Sequence, residues 1–254
     1  MKTFRLSGRY LFGRIPLSHV LVLALQLLGI GHVSLNFSAS FLAKPVLTTM
    51  VLNALLNGLA DTVAQSVTAV RQHQTRSKVA TKRPRRGPSI ELRDFGDVPL
   101  GGNGGDLYAT NSYDVERWIR FMAWGFLMAP LQLHWFALLS TLFPLTPATK
   151  TIASLLRMLC DQLFFSPASL ALFFVFLTVT EGGGQKAVSR KFNHAFMPSL
   201  RANFVVWPLV QIINFRFVTL PAQLPFASTV GVFWTTYLSL KNDAAEATLP
   251  VVVH

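Results

Sequence analysis

Apolar residues gather into six runs, at roughly 17–37, 45–70, 117–143, 151–180, 203–220 and 222–240. The longer runs reach the ~20 residues a helix needs to cross a bilayer. Helix punctuation separates them. Lys44-Pro45 opens the second run, where proline suits the first helical turn. Pro144 and Pro147 follow the third, and Glu181-Gly182-Gly183-Gly184 closes the fourth, as glycines commonly do. The pattern predicts an all-α, multispan transmembrane helical bundle with up to six apolar helices.

Two polar stretches interrupt it. Residues 71–113 are first basic (Arg76, Lys78, Lys82, Arg83, Arg85, Arg86) and then glycine-rich at 101–105. Such a stretch lacks the apolar content for a core and reads as a disordered loop. Its glycines do not open a helix after a strand, so they are no nucleotide fingerprint. Residues 185–201 carry Phe192, Phe196 and Met197 among basic residues, the makeup of an amphipathic helix lying in the interface.

Composition sharpens the class. The 254 residues are 51% hydrophobic and 13% charged, where a soluble domain carries about a quarter charged residues. Mean hydropathy is +0.42. Net charge is +12, and the cations sit between the apolar runs, as in loops of a membrane protein, so a nucleic-acid partner is not expected. If all six runs cross, the basic leader (Lys2, Arg5, Arg9, Arg14), the 71–113 loop, the 185–201 segment and Lys241 share one face. The leader reads as an N-terminal anchor or as a presequence before a helix. Cations at 71–93 are placed to meet anionic lipid headgroups. Cys160 is the single cysteine, so neither an intrachain disulfide nor a cysteine-based metal site is expected.

Polar residues inside the runs carry the functional question. Asn53, Asn57, Asp61 and Gln65 recur every four residues. Each step drifts by about 40°, so they form one slowly turning stripe. Arg157 and Asp161, one turn apart, are spaced to pair with each other. Gln132 and His134 lie in the third run, and Gln211 and Asn214 in the fifth. In a bilayer these groups must meet one another or water. As helix-to-helix hydrogen bonds they contribute about 0.6 kcal/mol each. Lining a hydrophilic path is the alternative. The five tryptophans are expected as interface anchors or packing residues. No nucleophile elbow, His-Glu-x-x-His or Cys/His cluster is present, and neither an enzyme activity, a cofactor nor a metal is expected.

Several spaced motifs carry a resemblance. Pro45, Thr48, Gly58, Asp61 and Gln65 form one; Asp114, Arg117, Arg120, Gly125, Pro130, His134, Trp135 and Phe136 a second. Asp161-Gln162 with Pro167, the Trp207–Phe215 stretch and Trp234–Ser239 complete the set. Together they resemble the peroxisomal membrane protein 2/4 family, also called the 22-kDa peroxisomal membrane protein family, which has mitochondrial inner-membrane relatives. Ala129, Phe136 and Pro225 depart from its usual Gly, Tyr and Arg. The resemblance implies a bundle with four core spans in a peroxisomal or mitochondrial inner membrane. It divides the chain into a leader with an extra helix (1–40), the first family helix (41–70), the loop (71–113), the remaining bundle helices (114–241) and a tail (242–254).

The expected function is a weakly selective channel for small hydrophilic solutes. Candidate pore or bundle residues are Asn53, Asn57, Asp61, Gln65, His134, Arg157, Asp161, Gln162, Gln211 and Asn214, with Asp61 expected to set ion preference. The competing expectation is a structural or tethering membrane protein whose polar residues only hold helices together. Expected partners are membrane lipid, small solutes and a second copy of the chain.

Overall fold

The computed structural model describes residues 10–11, 15–82 and 113–248. A two-residue antiparallel ladder pairs β1 (Tyr10–Leu11) with β2 (Ile15–Pro16), Tyr10 opposite Pro16 and Leu11 opposite Ile15. The rest is helical: α1 (Leu17–Leu35), α2 (Phe37–Ala43), α3 (Pro45–Lys82) and α4 (Val115–Leu142). Next come α5 (Lys150–Cys160), a π turn (Asp161–Phe165) and α6 (Ser166–Thr180). Then α7 (Gln185–Lys191), a second π turn (Phe192–Phe196), α8 (Met197–Phe217) and α9 (Leu220–Thr248) complete the chain.

Local chemistry sets the ends. Asp114 caps α4, its carboxylate accepting the Arg117 backbone N–H at 2.9 Å, and Glu116 complements the helix dipole. Gly182 ends α6 with φ 83°, and the Gly183 amide reaches back to the Thr178 carbonyl at 2.8 Å. Pro130, Pro208 and Pro225 sit inside α4, α8 and α9, as packed membrane helices tolerate.

Helix α3 is the axis of the bundle, packing against α4, α9 and α1. Its apolar window is 56% buried, against 17% for that of α1, so α1 faces outward on most of its circumference. Small residues allow the close approach: Ala60 and Ala64 are fully buried on α3. Where α4 crosses it, Gly125 leaves no room for a side chain. A Cβ there would stand 2.6 Å from the Asn53 carbonyl oxygen and 2.7 Å from Asn57 Nδ2. Gly125→Ala is therefore expected to lower stability by about 1–3 kcal/mol, read as a lower thermal unfolding midpoint in detergent. Two apolar clusters flank this crossing. One gathers Phe121, Leu170, Phe173, Phe174 and Leu177; the other Phe136, Leu139, Phe215, Leu224 and two alanines. Large apolar residues such as Leu28, Leu35, Val205 and Phe233 point outward, as lipid requires.

Among the described residues, five segments are long and apolar enough to cross a membrane: 17–35, 45–70, 115–142, 150–180 and 185–217. This differs from the six runs in three places. Residues 185–201 run on into the next helix: the π turn joins α7 to α8 as one segment, 185–217, whose most apolar 18 residues have mean hydropathy 1.2. The helix that follows is therefore not short. Second, α9 has the length of a span, but its side chains are described only in part, and it is not counted among the five. Third, α3 continues to Lys82, past the expected end near residue 70. The leader cations, the glycine-rich stretch at 101–105, most of the basic stretch at 71–93 and residues 249–254 of the expected tail lie outside the described residues. For 71–82 only the backbone is described.

Candidate functional site

A cavity of about 150 Å³ lies where α3, α4, α6, α8 and α9 converge. Sequence spacing explains its polar walls. On α3, Asn53 and Asn57 are one turn apart; on α8, Asn203, Trp207 and Gln211 follow one another at four-residue steps. The π turn adds Asp161 and Gln162, consecutive residues that are both buried and both line the cavity. The Ser166 amide bonds the Asp161 carbonyl five residues back, the widened turn that frequently marks functional positions in helices.

Asp161 is the charge of this chamber, 3% exposed. Trp135 Nε1 donates to its Oδ1 at 3.0 Å, and Gln211 Nε2 and Gln162 Nε2 donate to Oδ2 at 2.8 and 3.0 Å. Three N–H donors on oxygens that only accept suit an ionised carboxylate. Among the described residues no Lys or Arg makes a salt bridge to it. Asn214 Nδ2 donates to Gln211 Oε1 at 3.0 Å and so steadies the amide that faces the acid. Across the chamber, Asn53 Nδ2 bonds the Gly125 carbonyl at 2.8 Å, and the Ser228 hydroxyl donates to Asn53 Oδ1. Asn203 donates to the Ser166 hydroxyl. The Trp207 indole N–H, on the same wall, has no partner among the described residues.

Of the ten candidate residues, five line the cavity: Asn53, Asn57, Asp161, Gln162 and Gln211. The α3 stripe divides instead of forming one path. Asp61, fully buried, pairs with Arg117 at 2.8 Å, and Gln65 Nε2 donates to its other oxygen at 2.7 Å. Gln65 also accepts the Asp114 backbone N–H at 2.8 Å, tying α3 to the start of α4. Beside this pair, Thr62 donates to Gln26 Oε1 at 2.8 Å and lies 2.7 Å from the Tyr113 hydroxyl, which locks α1 onto α3. Burial pushes the Tyr113 phenol pKa up from its usual value. Asp61 thus faces a guanidinium, not the cavity, and the acid on the cavity wall is Asp161.

Two more expectations change. Arg157 does not pair with Asp161. Its Nε and Nη2 donate to the Phe143 carbonyl at 3.0 and 2.7 Å, satisfying carbonyls that the end of α4 leaves unpaired. Meanwhile the π turn gives Asp161 to the cavity. His134 is exposed on the outer face, its Nδ1 donating to the Pro130 carbonyl at 2.6 Å, so it belongs to neither cluster. Sequence reasoning missed Asn203, Trp135 and Gln26. Asn203 was legible as the residue two turns before Gln211. Trp135 stood in the second spaced motif but was expected only to anchor or pack, and Gln26 offered only a lone amide in an apolar run.

Comparison with known proteins agrees with these motifs. A model described as the Mpv17 / PMP22 family matches residues 178–239, the end of α6 through most of α9. Protein sym1 of Schizosaccharomyces pombe is 32% identical over 210 residues, 83% of this chain and 91% of that protein. Vacuolar membrane protein YOR292C of Saccharomyces cerevisiae is 29% identical over 262 residues, 90% of this chain and 82% of that one. Peroxisomal membrane protein 2 of Bos taurus is 35% identical over 130 residues, 51% of this chain and 65% of that one. No solved structure matches. The shared length with the sym1 protein, the matched C-terminal helices and the spaced Asp, Gln, Trp and Asn residues on those helices place the chain in the Mpv17 / PMP22 family.

Proposed function

We propose that this protein conducts small hydrophilic solutes through the central cavity, with a weak preference for cations, in the membrane of an intracellular organelle. One observation carries this. Inside a bundle with a greasy outer surface, one chamber collects several amides and, among the described residues, a carboxylate without a cation and an indole N–H without a partner. Such groups replace the hydration a solute sheds on entry. A uniformly apolar seam would hold the helices together as well, so the polar lining calls for a polar occupant. Relatives named for the peroxisomal and the vacuolar membrane support an organelle location.

A structural or tethering role is the second candidate. It is favoured by the Asp61–Arg117 cluster, which joins α3 to α4 without touching the cavity. Purified protein in planar bilayers separates the two. Conduction predicts discrete current steps, and a reversal potential in a KCl gradient displaced toward that of potassium. Silence in every lipid composition tried removes conduction and leaves the structural role.

A further inference from the structure

The central cavity has a neighbour. A groove of about 430 Å³ runs along the outer face between α4 and α6, walled by Leu131, Trp135, Leu138, Phe164, Ala168 and Leu172. It is open to the membrane: Leu131 is 50% exposed and Phe164 66%. Its volume lies within the range of small-molecule sites. Met128, Phe165 and Ser169 belong to both the groove and the cavity. A partition of three side chains therefore divides an acid-lined chamber from an apolar trough. Trp135 spans it as well: its ring stacks on Phe165 at 5.5 Å within the groove, and its N–H bonds Asp161 in the chamber.

We propose that chamber and groove form one two-part site for a single-chain cationic amphiphile, a long-chain primary amine, entering sideways from the bilayer. The proposal rests on the same chamber as conduction but reaches it from the lipid side. Charge complementarity selects the head. Asp161 is a buried carboxylate with no cation beside it among the described residues, and an ammonium group would give it a charge-assisted partner. Trp124, Trp207 and Trp234 line the chamber wall, and indole rings attract a cation placed over them. The chain then lies along Leu131, Leu138 and Leu172, where burial of each methylene is favourable. Met128, an unbranched side chain, is the part of the partition best able to move aside. A fatty acid of equal length would fit the groove but set a second carboxylate against Asp161.

The test is photolabelling of the full-length protein in phosphatidylcholine nanodiscs with tetradecylamine carrying a diazirine in its chain, and the labelled peptides mapped. Saturable labelling within 128–138 and 164–172 is expected, reduced at least tenfold by Asp161→Asn and by the groove-filling Ala168→Trp. The diazirine analogue of tetradecanoic acid should label lipid-facing helices evenly and ignore both substitutions. Equal patterns for amine and acid, or undiminished amine labelling in Ala168→Trp, overturn the proposal; the latter decides even where Asp161→Asn fails to fold. Conductance measured on Ala168→Trp keeps the two functions apart, because it fills the groove and not the chamber. Current at the wild-type level with labelling lost supports the two-part site. Labelling without current in any variant would remove conduction and leave the amphiphile site standing.

Discussion

Arg117→Met is expected to destabilise the protein by about 3–5 kcal/mol, the usual penalty for stranding one member of a buried ion pair. The stranded member is Asp61, fully buried at the end of the bundle. Arg117 itself keeps 22% of its side-chain surface exposed, so the loss comes chiefly from the carboxylate left behind. Gln65 would remain as an amide donor to Asp61, which moderates but does not replace a guanidinium. The paired replacement Asp61→Leu with Arg117→Met removes both charges and is expected to recover most of that loss. Thermal unfolding in detergent of the wild type, both single variants and the double variant checks this. A single Arg117→Met variant as stable as wild type would show that the pair holds nothing together.

Asp161→Asn is expected to act on selectivity. A unit charge about 4 Å from a passing ion contributes about 4 kcal/mol at an effective dielectric of 20, and water in the chamber screens most of it. The cation-to-anion permeability ratio should therefore fall by about three- to tenfold, equivalent to about 0.6–1.4 kcal/mol. Asp61→Asn should leave the ratio unchanged, because that acid is neutralised by Arg117 and does not line the cavity. Some loss of stability accompanies Asp161→Asn. Three N–H donors converge there, and an amide places its own NH₂ against one of them. Reversal potentials in asymmetric KCl, measured on both variants, distinguish a charge at the path from a charge in the scaffold.

The sequence pattern showed the helices more clearly than their partners. Pro45, Pro144 and the Gly182–Gly184 run marked real helix ends, because proline and glycine act through local backbone geometry. The continuity of α7 with α8 escaped because Lys186, Arg190 and His194 read as a separate segment, whereas a π turn at 192–196 links the two helices without a break. The site was half legible. Four-residue spacing placed Asn53 and Asn57 on an inward face, since one helix suffices to define a face. Spacing along a chain is silent about the helix opposite. Asp61 therefore looked unpaired until α4 brought Arg117 to it, and Arg157 looked like a partner for Asp161 until α5 set it under the end of α4. The π turn that turns both Asp161 and Gln162 inward is a backbone feature with no residue signature.

The central claim is that the Asp161 chamber holds solvent and is charged. Asn57→Cys in a Cys160→Ser background puts one thiol on its wall. In reconstituted protein, a cationic methanethiosulfonate reagent should modify that thiol several-fold faster than an anionic one of similar size, and Asp161→Asn should erase the difference. A thiol that reacts with neither reagent would mean the chamber is closed to water, and conduction through it would be refuted.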